Sequence, residues 1–143
     1  MIIPDTNLLL YASDTASPFH EKAARWWQDL LNGDEPVGIC AVVAFSFVRL
    51  STSRRVFVKP MTIQEATGHV RSWLERSIVD FVGTEESDLL RALEWLEAAG
   101  SGANLTTDAQ IAAIAARYRA TVHTADTDFQ RFAGVRWHNP ILG

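Results

Sequence analysis

Four aspartates stand in three short segments rich in apolar neighbours: Asp5 in IIPDTNLLLYA, Asp108 in NLTTDAQIAAIA, and Asp126 and Asp128 in TVHTADTDF. Each has an ordinary structural reading. Asp5 suits the N-cap of a helix starting at Thr6, and Asp126 suits the cap of a turn running through Phe129. Asp108 suits the first turn of a helix opened by a capping box of Thr107 and Gln110. Taken together the acids point further. Carboxylates gathered on one edge of a sheet repel one another, and none of the three segments carries a lysine or arginine to offset them. A hard divalent cation does so. Mg2+ and Mn2+ prefer oxygen ligands, and Mg2+ commonly takes one or two carboxylates, with water and phosphate completing its octahedron. Such a site suits phosphodiester hydrolysis: the cation lowers the pKa of a bound water, orients it and offsets charge on the phosphate.

The elements that must position these acids alternate along the chain. Apolar runs predict strands over 1–4, 37–40, 78–82, 120–123 and 135–137. Helical spacing predicts helices over 6–11, 18–31, 41–50, 62–76, 84–99 and 107–119. Their inward stripes read as Phe19, Ala23, Trp26, Trp27 and Leu30; then Ile63, Ala66, Val70, Trp73 and Leu74; then Leu89, Leu93 and Leu96; then Ile111, Ile114, Ala115 and Tyr118. Pro18 suits a first helical turn, Thr84 and Ser87 suit caps, and Gly100-Ser101-Gly102 suits a helix end. Strand–helix alternation predicts a mainly parallel sheet covered by helices on both faces, with ligands at the carboxyl ends of its strands. The 143 residues fit one domain, 1–143, with one core.

Composition narrows the function classes. No apolar run approaches the ~20 residues of a membrane span. The opening MIIPDTN lacks the basic region of a signal peptide, so a cytoplasmic placement is expected. Cys40 is the only cysteine, which excludes an internal disulfide and a cysteine-based metal site. His20, His69, His123 and His138 show no ligand spacing and read as unrelated surface or cap residues. The net charge of −4 argues weakly against a basic nucleic-acid binder, because an acidic metal site itself contributes negative charge. Arg49, Arg54 and Arg55 form the densest basic patch, suited either to phosphate contact or to a solvated helix end. Trp26, Trp27, Trp73 and Trp95 fall at core spacing, although the apolar breadth of the helix from Phe19 to Leu31 also suits a partner or dimer surface.

The ordered set of hydrophobic-DTN-hydrophobic, TDAQIAAIA and TADTDF resembles the acidic motifs of PIN-domain nucleases across nearly the whole chain. VRLST followed by RRVF, and the closing VRWHNP, look particularly like VapC-type toxins. The resemblance implies a three-layer α/β/α fold and Mg2+- or Mn2+-dependent endoribonuclease activity on RNA. It also implies neutralisation by a small cognate antitoxin and, often, homodimerisation. By position, Asp5 and Asp108 match the principal metal ligands, Asp126 the third acid and Asp128 an additional one. Thr6 and Asn7 occupy the small polar positions beside the first acid. One motif departs. Where the family usually carries glutamate in an E-hydrophobic-hydrophobic-R pattern, this chain has Ser46-Phe47-Val48-Arg49. Ser46 can hydrogen-bond a metal-bound water but supplies no charge; alternatively it bonds back to its own helix. Ser46 and Arg49 join Thr6 and Asn7 as candidates on the substrate side. The alternative function is a catalytically weak module that binds RNA or a protein partner. A haloacid-dehalogenase-like phosphohydrolase ranks behind both, because Asn7 stands where that family has its second aspartate.

Overall fold

The computed structural model describes residues 1–142. Five short strands, β1 (Ile2–Pro4), β2 (Val37–Ile39), β3 (Val79–Phe81), β4 (Thr121–His123) and β5 (Arg136–His138), form one sheet in the order β3-β2-β1-β4-β5. Every neighbouring pair is parallel. Parallel neighbours require crossover connections. Helices supply them: α1 (Thr6–Ser13) and α2 (His20–Leu31), α3 (Ala41–Ser51) and α4 (Ile63–Leu74), α5 (Glu86–Ala99) and α6 (Leu105–Tyr118). The result is the three-layer α/β/α architecture expected. A short 3-10 helix, Thr127–Arg131, joins β4 to β5. Among the described residues, no helix is long and apolar enough to cross a membrane.

The sheet is buried through Ile3, Val37, Ile39 and Val122, and the helices add Leu8, Leu9, Val43, Phe47, Ile111 and Ile114. Two close approaches depend on small residues. A Cβ on Gly38 in β2 would lie 2.9 Å from Met1 Sδ and 3.2 Å from Val82 Cγ1. Ala109, Ala112, Ala113 and Ala115 are all buried, so α6 lies close on its neighbours and brings its first turn to the sheet edge. Trp26, Trp27 and Trp73 belong to the core, with Trp73 meeting Phe47 edge-on at 4.8 Å. Trp95 is half-buried against Phe132. The tryptophans of α2 therefore do not form the partner surface that its apolar breadth allowed.

Local signals place most element ends. Thr62 and Glu65 form a capping box on α4, and Gly100, at φ 67°, ends α5 in the left-handed region. Several expectations need correction. Pro18 lies before α2, which starts at His20, and Phe19 is exposed while packing on Tyr11 at 5.0 Å. On α5, Leu89 and Leu93 are exposed; Asp88 and Ala92 face inward instead. The cause is Arg117 on α6, whose Nε lies 3.0 Å from both carboxylate oxygens of Asp88 and draws that face in. The α5 cap is the Glu85–Asp88 box rather than Thr84 or Ser87. Helix α6 begins at Leu105, so Thr107 is already helical and forms no box with Gln110, whose amide donates to Thr106 O. Ile63 and Leu74 at the ends of α4, and Tyr118 at the end of α6, are exposed. Arg117 stacks 4.6 Å over the Tyr118 ring.

Candidate active site

The strand order reverses beside β1: the chain passes from β1 to β2 on one side, and β4 is added later on the other. The crevice outside the carboxyl ends of strands at such a reversal is where open α/β sheets bind ligands. Pro4 pairs with His123, so β1 and β4 end together, and Asp5 N donates to His123 O at 2.8 Å. This pairing places the segments carrying Asp5 and Asp126 side by side.

Asp5 is buried and caps α1, Oδ1 accepting from Thr6 N at 2.7 Å. Its Oδ2 accepts from the Thr124 hydroxyl, also at 2.7 Å. Asp126 caps the 3-10 helix, its Oδ1 accepting from Asp128 N at 2.8 Å. The capping and site readings are thus one geometry, since the cap bond fixes the direction of each carboxylate. Asn7 joins the two segments: its Oδ1 accepts from Ala125 N at 3.3 Å and its Nδ2 donates to Thr124 Oγ1 at 3.4 Å. Thr6 is buried beside them, and its hydroxyl is without a partner among the described residues.

Asp108 enters from the first turn of α6 and is 7% exposed. Carboxylate oxygens of Asp108, Asp126 and Asp128 all lie within 4.8 Å of one another. Burial, first, pushes the Asp108 pKa up to about 8; the charges of Asp5 and Asp126, a hydrogen bond with Asp126 and the charge of Asp128 add to it. Burial also raises Asp5, against the lowering effect of its bonds from Thr124 and Thr6, with the Asp126 charge raising it further. The four acids therefore share one field. Asp108, Asp126 and Asp128 form its most compact part, and Asp5 is coupled to Asp108 and Asp126 by charge. A cation does approach from just beyond the third segment: Arg131 Nε lies 3.6 Å from Asp128.

The donor set suits a hard divalent ion. Three carboxylates within reach of one centre supply only oxygen, the preference of Mg2+ and Mn2+. The unpaired Thr6 hydroxyl fits the same picture: a buried hydroxyl without a partner costs about 1–3 kcal/mol, which bound water or ligand relieves.

Ser46 is buried on α3, a helix that packs on both α1 and α6. Its hydroxyl makes no hydrogen bond to a described residue, whereas Thr52 bonds back to Val48 O at 2.7 Å. Arg49, Arg54 and Arg55 are exposed and form no ion pair among the described residues. Two features escaped the sequence reading. Thr124 is fully buried at the junction of the acid segments, and its only signal was a hydroxyl two residues before Asp126. The histidines are not all unrelated, because β4–β5 pairing sets His123 against His138 with ring centroids 5.3 Å apart. Trp26 Nε1 donates to His123 Nδ1 at 2.9 Å. Burial, and then the His138 charge, lower the His123 pKa to about 4.

Comparison with known proteins adds to this geometry. The family model of the PIN domain matches residues 2–135. Ribonuclease VapC33 of Mycobacterium tuberculosis is 43% identical over 141 residues, spanning 99% of each chain. Among solved structures, VapC20 of the same species, described as a sarcin–ricin loop cleaving toxin, has a TM-score of 0.72 at 19% identity, covering 95% of this chain and 99% of that one. VapBC2 of Rickettsia felis, bound to a fragment of its promoter DNA, has a TM-score of 0.69 at 19% identity, covering 97% and 98%. These two likenesses establish a shared fold.

Proposed function

The chain belongs to the PIN-domain family, and from that premise we propose that it is a Mg2+- or Mn2+-dependent endoribonuclease acting as the toxin of a toxin–antitoxin pair. The observation that carries this reading is the convergence of Asp108, Asp126 and Asp128 at the β1–β4 reversal, with Asp5 at the paired end of β1. A divalent cation held there supplies a Lewis acid for phosphodiester hydrolysis by water. Asp5, Asp108, Asp126 and Asp128 are the carboxylates that would hold it. Asp108 would give up its proton in doing so, since a carboxylate ligates only when ionised. Asp5, fixed by its bonds from Thr6 N and Thr124, would meet the ion in a set direction. Ser46 leaves the site one carboxylate short of the family pattern, which lowers affinity for the ion without removing the site.

RNA reaches this edge through its phosphates. The exposed Arg49, Arg54 and Arg55 are free to bind them, and guanidinium suits bidentate phosphate contact. Asn7 is assigned to holding the loop after β4, because both ends of its amide are already engaged there. A small cognate antitoxin neutralises the toxin, with a basic group presented to the acids as the chemistry that fits. The purified chain should cleave a mixed RNA pool with Mn2+ and stop on chelation by EDTA; cleavage unaffected by chelation would remove the metal from this account.

A further inference from the structure

We propose that Thr124 is a positioning residue for the acid site: its single hydroxyl proton is committed to Asp5 and locks that carboxylate in place. The inference rests on the metal-nuclease reading above and deepens it. A threonine hydroxyl has one proton to give and two lone pairs to receive. Both lone pairs are used. Asp126 N, which can only donate, lies 2.9 Å from Thr124 Oγ1. Asn7 Nδ2 lies 3.4 Å away, and its amide orientation is set because Asn7 Oδ1 accepts from Ala125 N. The remaining proton therefore goes to Asp5 Oδ2 at 2.7 Å, an ordinary length for a hydroxyl donating to oxygen.

The consequence for Asp5 is geometric. One oxygen is held by Thr6 N and the other by Thr124, so turning the carboxylate breaks two bonds. Thr124 is wholly buried and β-branched, which restricts the rotation of its own hydroxyl carrier. The same hydroxyl receives the backbone of Asp126, tying the direction of Asp5 to the loop that carries the cation-facing acids. Thr124 itself is 0% exposed, so the role assigned to it is positioning. It acts through Asp5, as partners of metal-site carboxylates generally do.

The test compares wild type, Thr124→Val, Thr124→Ser and each change in an Asp5→Asn background, reading Mn2+ binding by calorimetry and RNA cleavage separately. Thr124→Val keeps shape and loses the proton. It should weaken Mn2+ binding about 10- to 100-fold, the range for such partners, while Thr124→Ser stays near wild type. In the Asp5→Asn background Thr124→Val should cost little more, since the partner it positions is gone. If Thr124→Val does not fold, Thr124→Ala, which leaves room for a water, takes its place in the same comparison. Equal losses in the valine and serine variants, or an undiminished valine effect without Asp5, overturn the positioning role. So does unchanged Mn2+ binding in Thr124→Val. A wild-type chain that binds no Mn2+ overturns the metal-nuclease reading and this inference together, whereas a defect-free Thr124→Val beside an active wild type overturns this inference alone.

Discussion

Carboxylate oxygens of Asp108 and Asp126 lie within 4.8 Å of each other, bringing the first turn of α6 against the segment after β4. Two carboxylates this close repel, and without a cation one of them is favoured to hold a proton. Burial and the surrounding acids place that proton on Asp108, whose pKa is pushed up to about 8.

Metal binding should therefore be coupled to proton release. With its pKa pushed up to about 8, Asp108 favours the protonated form at pH 7, and a bound cation would have to displace that proton. Apparent Mn2+ affinity should rise as pH increases from 6.5 towards about 8 and then level off. Calorimetry in buffers of different ionisation enthalpy should show proton release at pH 7, and less of it in Asp108→Asn. Identical heats in all buffers for wild type would contradict the protonated Asp108.

Stability without metal should follow the same proton. The folded pKa of Asp108 lies above its ordinary value of 3.8, so its contribution is full below that value and is lost as pH rises to about 8. His123 works in the other direction: its folded pKa of about 4 lies below 6.5, so its contribution is present above 6.5 and lost as pH falls to about 4. In the window from pH 6.5 to 8 the His123 contribution is already full, and the slope comes from the raised acids, Asp108 and Asp5. There the metal-free melting temperature should fall with pH in wild type and less steeply in Asp108→Asn. Below it, protonating His123 costs its Nδ1 the bond from Trp26, and tryptophan fluorescence should change near pH 4.

How far the sequence could reach is plain from these residues. Asp5, Asp108, Asp126 and Asp128 were legible because each sits beside a local punctuation, a strand end or a helix start, that survives without tertiary information. The role of Thr124 was not, because its bond to Asp5 spans 119 positions and exists only once β1 and β4 pair. The same holds for His123 and His138, neighbours through strand register alone. The α5 stripe was misread by about one position for a related reason. Leucines at helical spacing outrank an aspartate as core candidates, until a guanidinium 29 residues away receives that aspartate.

Arg117 offers a stability test remote from the acids. It supplies Nε to Asp88 at 3.0 Å and a second nitrogen to Gly83 O at 2.7 Å, so Arg117→Met leaves the Asp88 carboxylate buried with only Glu85 N as donor. The loss should be about 1–3 kcal/mol, read by urea denaturation. Cleavage per folded molecule should not change, because Arg117 lies about 13 Å along α6 from Asp108. A drop in specific activity at unchanged stability would reverse this division of labour.

Ser46→Glu restores the acid of the family pattern at a buried position between the helices that carry Asp5 and Asp108. One more carboxylate should lower the metal-free melting temperature and shift Mn2+ dependence to lower concentration. A variant that loses stability and gains no affinity for Mn2+ would place Ser46 outside the site.

The central claim is that carboxylates at the β1–β4 reversal hold the cation that hydrolyses RNA. Its most direct measurement is RNA cleavage by wild type, Asp5→Asn and Asp108→Asn across one Mn2+ titration, with circular dichroism confirming each fold. Wild type should cleave in proportion to bound Mn2+, and both variants should fall by orders of magnitude at every concentration. Asp108→Asn cleaving at the wild-type rate at saturating Mn2+ would contradict the account.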